Sequence, residues 1–135
     1  MKKFARITGT GSYLPPKIVT NFDLEKTLNT SDDWITARTG IKERRIVTDE
    51  NTCDLALEAS LNALSMAALN PEDIDLIILA TTTPDKIFPA TATILQDRLG
   101  ASCPAFDLQA VCAGFVFALT TAQQYIENGS AKNIL

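Results

Sequence analysis

The chain contains no histidine. A thiolate nucleophile ordinarily works with a base or a cationic partner, and imidazole is the usual one, so cysteine chemistry carried by this sequence alone lacks its commonest helper. The three cysteines, Cys53, Cys103 and Cys112, are odd in number and show neither CxxC nor metal-ligand spacing. A disulfide framework and a zinc site are therefore without support, and no metal is expected. Long apolar runs of membrane-crossing length are missing too, and the opening MKKFARITGTGSYLPP has two lysines but no signal-type apolar core before Gly9. Positive charge is in deficit, with 12 Lys and Arg against 16 Asp and Glu and a net charge of -4. That balance argues against gripping nucleic acid or an anionic membrane through the overall field, while leaving local basic patches open. The expectation is a soluble, cytoplasmic protein with neither nucleic acid nor membrane as partner.

What is present reads as one globular domain: 135 residues, 46% hydrophobic and 21% charged, enough for a core, with no repeat, linker or low-complexity segment. FARITGTGSYLP looks strand-like, TNFDLEKTL and TSDDWITARTG read as short helices, and KERRIV as extended. NTCDLALEASLNALSMAALNPEDI has Thr52 or Asp54 as a start signal, Leu55, Leu61, Leu64 and Ala68 along one face, and Pro71 beyond its end. IDLIILATTT is a continuous apolar run, as in a strand covered on both faces. FPATATILQDRLG predicts a helix closed by Gly100, CPAFDLQA another buried strand, and CAGFVFALTTAQQYIENGS a helix stopped at Asn128 and Gly129. Strands alternating with helices imply an α/β fold with a mostly parallel sheet covered by helices. The closing AKNIL begins a further apolar run, read as the start of the next parallel strand in a chain truncated from a longer protein.

Several motif-like stretches have plain structural explanations. GTGSYL carries Gly9 and Gly11, but Leu14 stands where a dinucleotide fingerprint needs its third glycine, and Pro15 and Pro16 forbid the phosphate-binding helix, so it reads as a strand end and turn. Asn29-Thr30-Ser31 and Asn128-Gly129-Ser130 match a glycosylation sequon and read instead as cap and turn residues. Arg38, Lys42, Arg44 and Arg45 cluster in RTGIKERR, which by itself describes a solvated strand with charged edges.

Cys112 in FDLQAVCAGFVFAL stands where an apolar strand gives way to a helix. A cysteine in apolar company is more often a small buried hydrophobe. Against that, ligands of open α/β sheets bind outside the carboxyl ends of the strands, and a helix N-terminus favours thiolate over thiol. Ala110, Ala113 and Gly114 leave room beside the sulfur, in the manner of a strand-turn-helix nucleophile. Position alone does not decide between the two readings.

Five segments in order, GTGSYLP, TSDDWITARTGIKERRI, IDLIILATTT, FPATATILQDRLG and CPAFDLQAVCAGFVFAL, resemble β-ketoacyl-acyl-carrier-protein synthase III, a condensing enzyme of type II fatty acid synthesis in the thiolase-like superfamily. The resemblance runs the length of the chain and implies a thiolase-like fold, with residues 1–135 as its incomplete amino-terminal half. It makes Cys112 the nucleophile acylated by acyl coenzyme A, typically acetyl, and the Cys112 amide an oxyanion donor. Decarboxylative condensation with malonyl carrier protein then gives a β-ketoacyl carrier protein. It places the coenzyme A adenine on Trp34, sets Thr30 and Arg38 against the same ligand, and has Phe88 reach across a homodimer interface to close the partner's acyl pocket. Without it, Trp34 would read as a core anchor and Phe88 as a core aromatic. No cofactor is implied, since acyl coenzyme A and malonyl carrier protein are substrates. The catalytic His, the catalytic Asn and a second oxyanion amide belong to a second half in this family. Gln109 and Val111 replace the small residues more usual before the cysteine, which bears on the starter acyl group. Two other readings remain: a related acyltransferase of the quinolone-forming or hydroxymethylglutaryl coenzyme A synthase kind, against which SDDWITARTGIKERR speaks, and a non-catalytic dimerising module.

Overall fold

The computed structural model describes residues 4–135. They gather into two compact units: Leu14–Glu50, and Asn51–Leu135 together with the described residues up to Tyr13.

In the smaller unit, β1 (Lys17–Thr20) pairs antiparallel with β2 (Glu43–Ile46), with Lys17 opposite Ile46 and Thr20 opposite Glu43. The strand KIVT is too short for periodicity to reveal and follows two prolines. Thr20 ends β1 and caps α1 (Asn21–Glu25), its hydroxyl accepting the Asp23 amide while the Asp23 carboxylate accepts the Thr20 amide at 3.0 Å. Ser31 caps α2 (Asp32–Thr39) by accepting the Trp34 amide at 3.1 Å, which gives the 29–31 sequon the capping role its composition implied.

The larger unit holds α3 (Thr52–Ala67), β3 (Ile77–Ala80), α4 (Thr91–Leu99), β4 (Ala105–Leu108) and α5 (Gly114–Asn128). β3 and β4 run parallel, Ile77 opposite Ala105 and Ala80 opposite Leu108. On the other edge of β3, Leu76 bridges Ile134 in parallel, with the Leu135 amide donating to Leu76 O at 3.0 Å and the Ile78 amide to Leu135 O at 2.9 Å. AKNIL therefore does enter the sheet as a parallel segment. Cys53, Leu64, Ile74, Ile77, Ala92, Leu95, Leu99 and Ala101 form the core. Complete burial of Ile77 and Leu95 stabilises this unit by about 1.5–3 kcal/mol each. Gly100 stops α4 at φ 74°, a left-handed conformation that costs glycine little.

Three expectations need correction. The buried stripe of α3 is Cys53, Ser60 and Leu64, with Leu57 partly covered; Leu61 is 44% exposed and Ala68 lies exposed beyond the helix. The stripe follows a 3–4 spacing set by Cys53, and Leu61 stands about 100° away from Ser60. Leu55 is half-buried. The helix starts at Thr52, with Asn51 at the cap position and the Asn51 amide donating to Asp54 at 2.7 Å.

The second concerns the segment FARITGTGSYLP, whose residues 5–15 join no ladder among the described residues. It lies instead along α3: Asn62 donates to Ser12 O at 3.0 Å, and a Cβ on Gly9 or Gly11 would collide with the Ala63 or Ala59 carbonyl oxygen. The glycines thus serve close packing of backbone on helix, not the turn first read into them. Third, β3 and β4 are less covered than a doubly buried strand, with every residue of β4 half-buried and Ala80 exposed.

Candidate active site

β4 delivers the chain through Gln109 and Ala110 into a 3-10 turn, Val111–Ala113, that continues as α5. Cys112 is in the middle of this turn, just before α5 begins at Gly114, and it is exposed. Val111 beside it has φ 47°. For a β-branched residue the left-handed region is strained by on the order of 1–2 kcal/mol, so the backbone here is held by its surroundings rather than by local preference. The Ala113 amide returns to Ala110 O at 3.0 Å and closes the turn. Gly114 is buried, and a Cβ there would sit 3.3 Å from the Ala80 Cβ, so glycine lets α5 start hard against the end of β3. Cys112 opens onto a groove of about 960 Å³ whose lining includes Val111, Phe115, Ala118 and Leu119.

The other two thiols have different surroundings. Burial pushes the Cys53 thiol up, against an opposing pull from the Arg98 guanidinium, and burial with the Asp75 carboxylate nearby pushes Cys103 up. Both are held toward the unreactive protonated form. Of the three, the exposed sulfur at the elbow has the access a nucleophile needs.

Within the smaller unit, Trp34 and Arg38 stand one turn apart on α2, and both are exposed. Trp34 is 53% exposed, which removes the core-anchor reading. The Arg38 guanidinium carbon lies 4.2 Å from the indole centroid, and Arg38 donates to the Trp34 carbonyl at 3.4 Å. A flat ring beside a planar cation is a platform suited to a base and a phosphate. Just before the helix, Thr30 Oγ1 is buried and has no hydrogen-bond partner among the described residues, as happens where a ligand or water completes the bonding.

Phe88 projects from the loop between β3 and α4 and is 87% exposed beside the fully exposed Ile87. Its loop is tethered on either side: Thr52 donates to Thr83 O, the Asp85 carboxylate accepts the Cys53 amide, and the Asp85 amide donates to Thr91 Oγ1. A core aromatic it is not. Among the described residues no cluster of three or more His, Cys, Asp or Glu could hold a metal ion, and no helix is long and apolar enough to cross a membrane.

Three features escaped the sequence reading. Asp107 on β4 accepts the Thr91 and Ala92 amides, the left-handed backbone lies at Val111, and Asn21 is buried at the centre of a polar network. Asn21 lies in the TNFDLEKTL stretch read only as a short helix, and nothing in its sequence neighbours signals burial.

Comparison with known proteins bears on this geometry. The family model for 3-oxoacyl-[acyl-carrier-protein (ACP)] synthase III matches residues 106–135, the stretch that holds Cys112. A β-ketoacyl-[acyl-carrier-protein] synthase III from Vesicomyosocius okutanii subsp. Calyptogena okutanii is 69% identical over the whole chain, which spans 43% of that protein. One from Neisseria gonorrhoeae is 61% identical over 98% of the chain and 42% of its own length. The crystal structure of 3-oxoacyl-[acyl-carrier-protein] synthase III from Aquifex aeolicus VF5 superposes with a TM-score of 0.92 at 52% identity, over 99% of this chain and 43% of that one. Fold and sequence together define the amino-terminal part of a thiolase-like fold. Within that class the chain is similar over its whole length to the amino-terminal part of β-ketoacyl-acyl-carrier-protein synthase III proteins, and it spans less than half of their length.

Proposed function

We propose that this chain forms the nucleophile-bearing part of a condensing enzyme that initiates type II fatty acid synthesis. The Cys112 thiolate attacks the thioester carbonyl of an acyl coenzyme A, forming an enzyme thioester and expelling coenzyme A as its thiolate. Malonyl carrier protein then loses carbon dioxide. The resulting carbanion attacks the Cys112 thioester, releasing the cysteine thiolate and a β-ketoacyl carrier protein. Backbone amides at the elbow stabilise the charge that develops on the thioester oxygen. The exposed Cys112 at a strand-to-helix elbow is the observation that carries this reading.

Trp34 takes the adenine, while Arg38 and Thr30 contact the remainder of coenzyme A. Phe88 closes the acyl pocket of a second copy in a homodimer, and its near-complete exposure on a tethered loop supports that use. The protein works in the cytoplasm, with acyl coenzyme A and carrier protein as its partners and no cofactor of its own. The proton-handling His and the Asn of the condensation step come from outside these 135 residues, which hold no histidine.

Incubating the complete enzyme with acetyl coenzyme A and mapping peptides by mass should find acetyl on Cys112 alone. Acetyl on Cys53 or Cys103 with none on Cys112 would overturn the assignment. Stacking of a base on an aromatic is worth about 1–3 kcal/mol, so Trp34→Ala should weaken coenzyme A binding about 5- to 150-fold with little change in thermal stability. Loss of folding in that variant would make Trp34 a structural residue instead.

A further inference from the structure

Trp34 and Arg38 can serve one ligand only if α2 is held at a fixed rotation about its own axis, and the smaller unit contains a device for holding it. Asn21, the first residue of α1, has no exposed surface. Its side-chain amide donates to the Asp32 carboxylate at 2.8 Å and to Ile41 O at 2.8 Å, and it lies 3.4 Å from Thr36 Oγ1. Its carbonyl oxygen accepts from Arg44 at 2.9 Å. Arg44 in turn lies 3.4 Å from Val19 O, and the Asn21 amide donates to Lys42 O at 3.2 Å. One side chain therefore joins α1, two successive turns of α2, the loop that leaves α2, and β2.

The helical period gives this network its direction. Asp32 and Thr36 are four residues apart on one stripe, further tied by the Thr36 hydroxyl donating to Asp32 at 3.3 Å. Trp34 and Arg38 are the same pair displaced by two residues, which turns them about 200° around the axis. The stripe gripped by Asn21 is thus the reverse side of the stripe that carries the indole and the guanidinium. A buried amide with both donors and its acceptor satisfied is costly to disturb, because each freed partner is left without water.

We propose that Asn21 is a positioning residue for nucleotide recognition: by fixing the inner stripe of α2 it sets where Trp34 and Arg38 present themselves to the adenosine phosphate end of the acyl donor. The proposal rests on the coenzyme A reading above. It concerns the nucleotide end only, so it separates two acyl donors that share a thioester and differ in the nucleotide.

The experiment compares acetyl coenzyme A with acetyl pantetheine, which lacks the nucleotide, as donors to Cys112 in the complete enzyme. Asn21→Ala should raise KM for acetyl coenzyme A about tenfold, while kcat and the KM for acetyl pantetheine stay within about twofold of the parent. If Asn21→Ala does not fold, Thr36→Val, nearly the same shape without the hydroxyl, gives a weaker version, about threefold on the same single parameter. Equal losses with both donors, or no change with either, would overturn the proposal. Trp34→Ala run in parallel distinguishes the failures. If it too fails to separate the donors, the coenzyme A reading falls; if it separates them and the Asn21 and Thr36 variants do not, only the positioning role falls.

Discussion

Removing the Asp107 carboxylate should release the start of α4 from the strand that leads to Cys112. One Asp107 oxygen accepts the Thr91 amide at 2.9 Å and the other the Ala92 amide at 2.7 Å. These are the first two residues of α4, whose amides have no acceptor inside the helix, and Ala90 at the cap position has no side chain to supply one. A hydrogen bond to an ionised group contributes about 1.5–3 kcal/mol, and a negative charge at a helix N-terminus about 0.3–1 kcal/mol more. Asp107 is half-buried, so water recovers part of the loss. Asp107→Ala should therefore destabilise the start of α4 by about 3 kcal/mol, and Asp107→Asn, which keeps one acceptor oxygen, by about half as much. Hydrogen exchange of the peptide covering residues 88–99 reads this directly, since about 3 kcal/mol of local protection is a rate increase on the order of a hundredfold. Refutation is specific: exchange unchanged in the Ala variant means the amides have other acceptors, and equal rates in the Asn and Ala variants mean that the charge, not the geometry, matters.

Other outcomes follow from single contacts. Iodoacetamide at neutral pH should modify Cys112 at least about tenfold faster than Cys53 or Cys103, whose thiols are pushed up by burial; comparable rates would remove the argument from thiol environment. Gly11→Ala should destabilise by about 3 kcal/mol in thermal unfolding, because the new methyl meets the Ala59 carbonyl, a backbone atom that cannot swing aside. The Asn133 and Lys132 amides hold the Asp75 carboxyl below the usual carboxylate range. Its contribution is present above the unfolded-state value and lost as pH falls through the folded one, so acidification should speed exchange at Lys132 and Asn133 relative to Asp75→Asn at the same pH, and parallel behaviour of the two proteins would refute it. The 135 residues alone should release no carbon dioxide from malonyl carrier protein, and turnover matching that of the complete enzyme would show a second catalytic apparatus.

The succession of helices and strands was legible because local rules agree with the fold at those points. Gly100 and Gly129 end helices with φ 74° and 83°, and the apolar run of β3 belongs to a sheet. Legibility failed where a property belongs to a pair of segments and not to one. Whether an extended stretch is a strand depends on a partner ladder, and residues 5–12 lie on α3 instead. Which stripe of α3 faces inward depends on what packs against it, so Leu61, apolar and in phase with other leucines, comes out exposed.

The site divides along the same line. Cys112 could be placed near a strand-helix junction from the residues around it, yet the feature that shapes the junction, the left-handed Val111, breaks a local preference and so cannot be read from local preference. Trp34 and Phe88 have core-forming side chains and are exposed, and only resemblance to a family of enzymes singled them out beforehand. Asn21 is the converse: a polar side chain at a helix start, of the type expected in water, that is wholly buried while Asp32, Thr36, Ile41 O and Arg44 complete its bonding. Exposed aromatics and buried amides both run against what residue type predicts, and each contradiction is stable only if something else in the structure compensates for it. For Asn21 the compensation is visible in its hydrogen bonds. For Trp34 and Phe88 the proposed function supplies it as a nucleotide in one case and a second copy of the chain in the other, so variants scored by ligand and partner rather than by stability test that proposal.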